Sequence, residues 1–150
     1  MENKTMEPRA VVEAYWQAMQ SNDFAKAARW LCEDFICDWP QSGERIEGRC
    51  NFVEINRRYP AAGPWNFDVV RLLEQGREVV TEVLITDGEV EARAITFHTV
   101  RGNAIWHQTE FWPDLYEAPH WRRHWVTTIP REPQPACSPP LARYRQRSRS

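Results

Sequence analysis

The sequence predicts an α+β fold in which N-terminal helices pack on a curled antiparallel meander sheet that encloses a pocket. Three observations carry this. Apolar residues recur at three- and four-residue spacing before Pro60, they alternate with period two beyond Trp65, and short turn signals separate the alternating runs. Helices first and strands last, without βαβ alternation, exclude a doubly wound parallel sheet.

From Pro8, the residues Val11, Val12, Tyr15, Trp16 and Met19 define one face of an amphipathic helix, with Pro where a missing N–H costs nothing. Ser21, Asn22 and Asp23 interrupt it, and Asp23 is placed to cap a second helix from Phe24 to about Leu31. Phe35 to Trp39 reads as a short strand ended by Pro40, followed by turn chemistry in Gln41–Glu44. Residues 49–59 place Phe52 and Ile55 on one face of a third helix, which Pro60, Gly63 and Pro64 terminate. Four strands follow at 67–74, 78–86, 89–100 and 104–112, joined at Gln75-Gly76, Asp87-Gly88 and Gly102-Asn103. Residues 119–128 suggest a short helix that carries Trp121 and Trp125 on one side. The Pro-, Ser- and Arg-rich segment 131–150 is expected to be a disordered tail, leaving residues 1–130 as one domain.

Composition limits the function. At 150 residues the chain can bury a core without staples, and its eight Trp demand burial in a core, a pocket or a partner. Cys32, Cys37, Cys50 and Cys137 show no metal or redox spacing, and no secretion signal is visible, so a reduced, cytoplasmic protein is expected. No apolar run is long enough to span a membrane. Five Arg and one Glu in 131–150 give that segment about +4, which leaves about −6 on residues 1–130 out of the net −2. An acidic body lacks the basic field that phosphate backbones require, so no nucleic-acid partner is expected. No dinucleotide or phosphate-loop motif is present, and neither a cofactor nor a metal is expected.

The stretches VVEAYWQAMQSND, WLCEDFICDWP, SGERIEGRCNF and FHTVRGNAIWHQTEFW, in this order, resemble the SnoaL-like and ketosteroid isomerase-like families of the nuclear transport factor 2 superfamily over residues 8–128. That resemblance implies a cone-shaped body, a small-molecule ligand, a homodimer and, where catalysis occurs, cofactor-independent acid/base chemistry of the isomerase, cyclase or hydrolase kind. A non-catalytic ligand-binding or interaction domain is the alternative within the superfamily. Tyr15 falls where the isomerases place the phenol that hydrogen-bonds a substrate oxyanion. Counting without gaps, their basic Asp falls on Trp39, with Asp38 one residue early, and their second oxyanion donor falls near Thr96.

Two-residue turns at Asp87-Gly88 and Gly102-Asn103 would fix the strand register. They place Thr96 opposite Thr109 and His98 opposite His107 on an apolar, concave face with Phe111. Glu82, Arg93 and Glu110 then fall on a convex face beside Ile95, Phe97, Trp106 and Trp112, suited to a symmetric dimer. On this reading His98 and His107 are either hydrogen-bonded core histidines or a proton-sharing pair in the pocket. Asp38 is a general base at the pocket mouth or a strand-end carboxylate in water, and Tyr15 is an oxyanion donor or a packing residue. Trp16, Trp39, Asp68, Thr96, Thr109 and Phe111 complete the expected ligand contacts.

Overall fold

The computed structural model describes residues 4–131. Helix α1 spans Pro8–Gln20, α2 Phe24–Ala28 and α3 Gly48–Arg58. The strands are β1 Leu31–Trp39, β2 Glu44–Glu47, β3 Asn66–Gln75, β4 Glu78–Thr86, β5 Glu91–Arg101 and β6 Ala104–Phe111. They form one six-stranded sheet in the order β2-β1-β6-β5-β4-β3. The β3-to-β6 meander is antiparallel as expected, and β1 joins its far edge by parallel pairing with β6. The helices cover one face, with α1 over β3 to β6 and α3 against β1 and β2.

Local chemistry explains the helix boundaries. Asp23 caps α2 by accepting a hydrogen bond from the Lys26 N–H at 3.1 Å. The helix stops at Ala28, short of the expected Leu31, because Leu31 pairs with Ile105 and the Trp30 carbonyl accepts the Ile105 N–H at 2.7 Å. Val11, Val12, Tyr15, Trp16 and Met19 form the buried stripe of α1, as their spacing requires. Strand β2 follows the expected turn at Gln41–Glu44, in a stretch to which the sequence assigns no element, since Ile46 is its single buried residue and four residues are too few to show alternation.

Two departures from simple hairpins set the register of the meander. At the β4–β5 turn, Asp87 Oδ1 accepts the N–H groups of Glu89 and Val90 at 2.9 and 2.8 Å, and Oδ2 accepts that of Ala62 at 2.8 Å. This side-chain scaffold lengthens the loop, so Glu82 lies opposite Ile95 and Thr81 opposite Thr96, two residues from the expected register. A shift of two preserves the face of every side chain. The β5–β6 turn does pair Arg101 with Ala104, but a β-bulge follows: Val100 pairs with Ile105 while Thr99 pairs with His107, leaving Trp106 as the extra residue. A shift of one turns the rest of β6 over.

Residues 120–125 form a 3₁₀ turn rather than an α-helix, with Trp121 72% and Trp125 78% exposed. Apart from Arg131, the expected tail at 131–150 lies outside the described residues. Because the buried Asp87 carboxylate satisfies three backbone donors, Asp87→Ala is expected to lower unfolding stability by about 1.5–3 kcal/mol in urea titrations.

Candidate active site and its relatives

The bulge at Trp106 decides which side chains of β6 face the helices. Gln108 and Glu110 point inward and are buried, whereas His107, Thr109 and Phe111 stand on the opposite face and are partly exposed. Strand β1 alternates so that Phe35, Cys37 and Trp39 face inward and Asp38 outward. The inward side chains, with α1 and α3 above them, enclose a chamber of about 60 Å³. Its wall includes Tyr15, Trp16, Trp39, Phe52, Tyr59, Trp65, Phe67 and Trp112, so half of its sixteen lining residues are aromatic. Among the described residues, Glu110 is the only Asp, Glu, Lys, Arg or His in its lining.

Glu110 sits among convergent donors. Trp39 donates its indole N–H to Oε1 at 3.0 Å, and Thr96 donates its hydroxyl to Oε2 at 2.8 Å. Burial raises the carboxyl above its ordinary value of 4.5, against the opposing pull of Thr96, Trp39 and the nearby Trp112 indole. The Trp112 indole N–H is buried without a hydrogen-bond partner of its own, and the Trp112 backbone N–H is tied to the Gln41 side chain. Burial, then the charge of Glu110, raises the Tyr15 phenol well above 10, while Gln108 hydrogen-bonds that side chain. Burial likewise pushes the Cys37 thiol up. Glu110 is thus the ionisable group of the chamber whose protonation is most readily changed.

His98 lies behind this wall, fully buried. The Gln108 amide approaches its Nδ1 at 2.9 Å and Thr81 Oγ1 lies 2.8 Å from its Nε2, with the Trp16 indole N–H donating to Thr81 at 3.2 Å. An amide nitrogen can only donate, so Nδ1 accepts and the imidazole proton rests on Nε2. Burial pushes the His98 pKa down to about 3. This neutral ring bridges β4, β5 and β6 and does not line the chamber.

The expected site is therefore divided between two faces. Tyr15, Trp16 and Trp39 line the chamber, and Thr96 supports Glu110 from beneath. His98 pairs across the strands with Gln108, and His107 with Thr99, so the two imidazoles do not oppose each other. His107 Nε2 instead meets Asp38 Oδ2 at 3.1 Å on the outer face, where Arg45 clamps Asp38 at 2.6 and 3.0 Å. The Arg45 guanidinium holds the Asp38 carboxyl below its ordinary range, which makes Asp38 an ion-pair partner turned away from the chamber. Thr109 and Phe111 are also on the outer face, with the Phe111 ring 6.2 Å from Phe97. Asp68 is exposed on edge strand β3, whose Phe67 is the chamber residue. The convex Glu82–Arg93 pair forms and Arg71 joins it, while Glu110 is absent from that cluster because of the bulge.

Helices folded over a curled sheet around an aromatic chamber define a small-molecule-binding type of α+β domain. The sequence pattern of the SnoaL-like domain family matches residues 12–108, and the chain belongs to that family. A candidate ketosteroid isomerase from Kribbella flavida superposes with TM-score 0.77 at 33% identity, covering 85% of this chain and 93% of that one. An NTF-2-like protein of unknown function from Burkholderia xenovorans gives TM-score 0.66 at 35% identity, covering 82% and 95%. A Catenulispora acidiphila protein of ketosteroid isomerase-like fold, in complex with trimethylamine, shares the fold at TM-score 0.59 and 16% identity, covering 71% and 85%. No curated protein matches the chain.

Two titrations check these environments. The His98 imidazole is expected to stay neutral by NMR from pH 8 down to about 3; a midpoint near 6.5 would show that it is solvated. Glu110 has a raised folded-state pKa, so its stabilising contribution is present below 4.5 and is lost as pH rises through the folded value. Stability of Glu110→Gln relative to the parent is therefore expected to increase over that rise in chemical denaturation. A pH-independent difference would contradict the assignment.

Proposed function

We propose that this chain is a binding domain for a compact, largely apolar organic molecule, with Glu110 as the group that exchanges a proton with it and Tyr15 beside it as hydrogen-bond donor. The observation that carries this reading is a lone buried carboxyl, raised above its ordinary range, in an aromatic chamber. Isomerase or cyclase chemistry of the acid/base kind fits such a carboxyl. The chamber volume of about 60 Å³ is several times the roughly 10–15 Å³ that one water needs, so it admits a group of a few heavy atoms and not a fused-ring skeleton. The trimethylamine held by the Catenulispora relative is a ligand of that size class. Non-catalytic binding is the second reading, favoured by the small volume.

NMR of the indole N–H groups tests occupancy. Cyclohexanone is expected to shift Trp39 and Trp112, and Cys37→Phe, which fills the chamber, is expected to abolish the shifts; unperturbed indoles would contradict the reading. If the site is catalytic, deuterium exchange α to the ketone should fall about 10²–10⁴-fold in Glu110→Gln. Exchange at the uncatalysed rate alongside normal binding would select the non-catalytic reading.

A homodimer through the convex sheet face is part of the proposal. Phe97 is 46% and Leu73 62% exposed there, each paired with Val80 of β4, an apolar surface of the kind that subunit contacts cover. Light scattering is expected to give a dimer mass, and Phe97→Asp a monomer; a parent monomer would remove the assignment. A reducing, cytoplasmic setting is supported by Cys32, Cys37 and Cys50, which are free thiols, and no helix among the described residues is long and apolar enough to cross a membrane.

A further inference from the structure

We propose that the ligand of this chamber is a compact organic cation, a tertiary or quaternary alkylammonium head whose substituent extends into an outer vestibule. The inference rests on the chamber being a binding site, as argued above, and adds the charge and shape of what fills it.

Charge is the first argument. Among the described residues no Lys, Arg or His lines the chamber, and the one carboxyl in its lining is that of Glu110. An anionic ligand would meet the Glu110 carboxylate there and no counter-charge. A cation would meet a carboxylate and aromatic rings whose faces are negative, the combination by which alkylammonium groups are held. The two indole N–H groups and the Thr96 hydroxyl around Glu110 favour its ionised form once a counter-charge enters.

Shape is the second. An outer vestibule of about 280 Å³ shares Trp39, Ile55 and Tyr59 with the chamber and so adjoins it. Besides them the vestibule is lined by Glu44, Glu54, Arg58 and Pro60. Arg58 bonds to Glu54 at 3.0 Å, and Arg57, outside the lining, reaches Glu54 at 3.9 Å. Two carboxylates against one guanidinium at the entrance keep the lining of the approach from turning positive. The inner space fits a rounded head of a few heavy atoms, and the outer space fits a short polar arm.

Calorimetry with choline and with its neutral isostere 3,3-dimethylbutan-1-ol tests the proposal, since the two differ in charge and hardly in shape. Choline is expected to bind about tenfold or more tightly than the alcohol, and Glu110→Gln, checked for folding by circular dichroism, is expected to erase the difference. In the parent protein, choline affinity is also expected to fall on acidification as Glu110 takes up its proton, while that of the alcohol stays constant. The other titratable groups of the chamber lining are Tyr15 from α1 and Cys37 from β1, both kept neutral by burial, and Tyr59 at the end of α3, while His98 behind them is neutral down to about pH 3. Equal binding of the two probes, or preference for the alcohol, would overturn the cation while leaving the chamber as a binding site. Binding of neither would overturn both.

Discussion

One extra residue in strand β6 determines the chemistry of this domain. Past Trp106 every side chain of β6 changes sides, which brings Gln108 and Glu110 under the helices and turns His107 and Thr109 outward. The bulge has local support. The Val100 N–H bonds to the Arg77 carbonyl at 2.9 Å, and the Arg77 side chain returns a hydrogen bond to the Val100 carbonyl at 3.1 Å. The displaced Trp106 lies beneath the Arg101 guanidinium, 5.5 Å from its ring centre. An interrupted ladder would otherwise leave backbone groups unpaired, and these contacts offset that cost.

The consequence is a carboxyl in a place that stability alone would not select. A Leu or Met at Glu110 would avoid the desolvation that raises its pKa. The fold instead surrounds it with Trp39, Thr96 and Trp112, while Tyr15 and Cys37 nearby are driven toward their neutral forms. A single changeable charge in a poorly solvated aromatic enclosure suits either proton transfer or the capture of a counter-charge. The His98 network has the opposite character: both ring nitrogens are satisfied and the ring is locked neutral, so it stiffens the sheet.

Much of this architecture is legible in the sequence. Strong periodicity gives α1, α3 and all four meander strands, and the α1 spacing places Tyr15 and Trp16 on the buried side. The Asp87 loop moves the β4–β5 register by two, which period-two logic tolerates, so the faces of β4 and β5 are read correctly. The bulge moves β6 by one and inverts the reading: Glu110 is taken for a convex residue, and Thr109, Phe111 and His107 for pocket residues. A signal for it does exist. Ile105 and Trp112 are both packed on the inner side although seven residues apart, an odd interval that an unbroken strand cannot place on one face. The parallel β1–β6 pairing and strand β2 leave no such mark, because turn chemistry says nothing about which distant strand closes a sheet edge. Asp38 is misplaced for that reason: its partners Arg45 and His107 come together only through those pairings.

The central claim is that the bulge delivers the Glu110 carboxyl into a poorly solvated chamber. The most direct measurement is a ¹³C NMR titration of the glutamate side-chain carboxyls, with the Glu110 signal assigned by its loss in Glu110→Gln. A midpoint clearly above the ordinary 4.5 is expected for that one signal. A Glu110 signal titrating at or below 4.5, as a carboxylate in water would, contradicts the account and returns Glu110 to the outer face of the sheet.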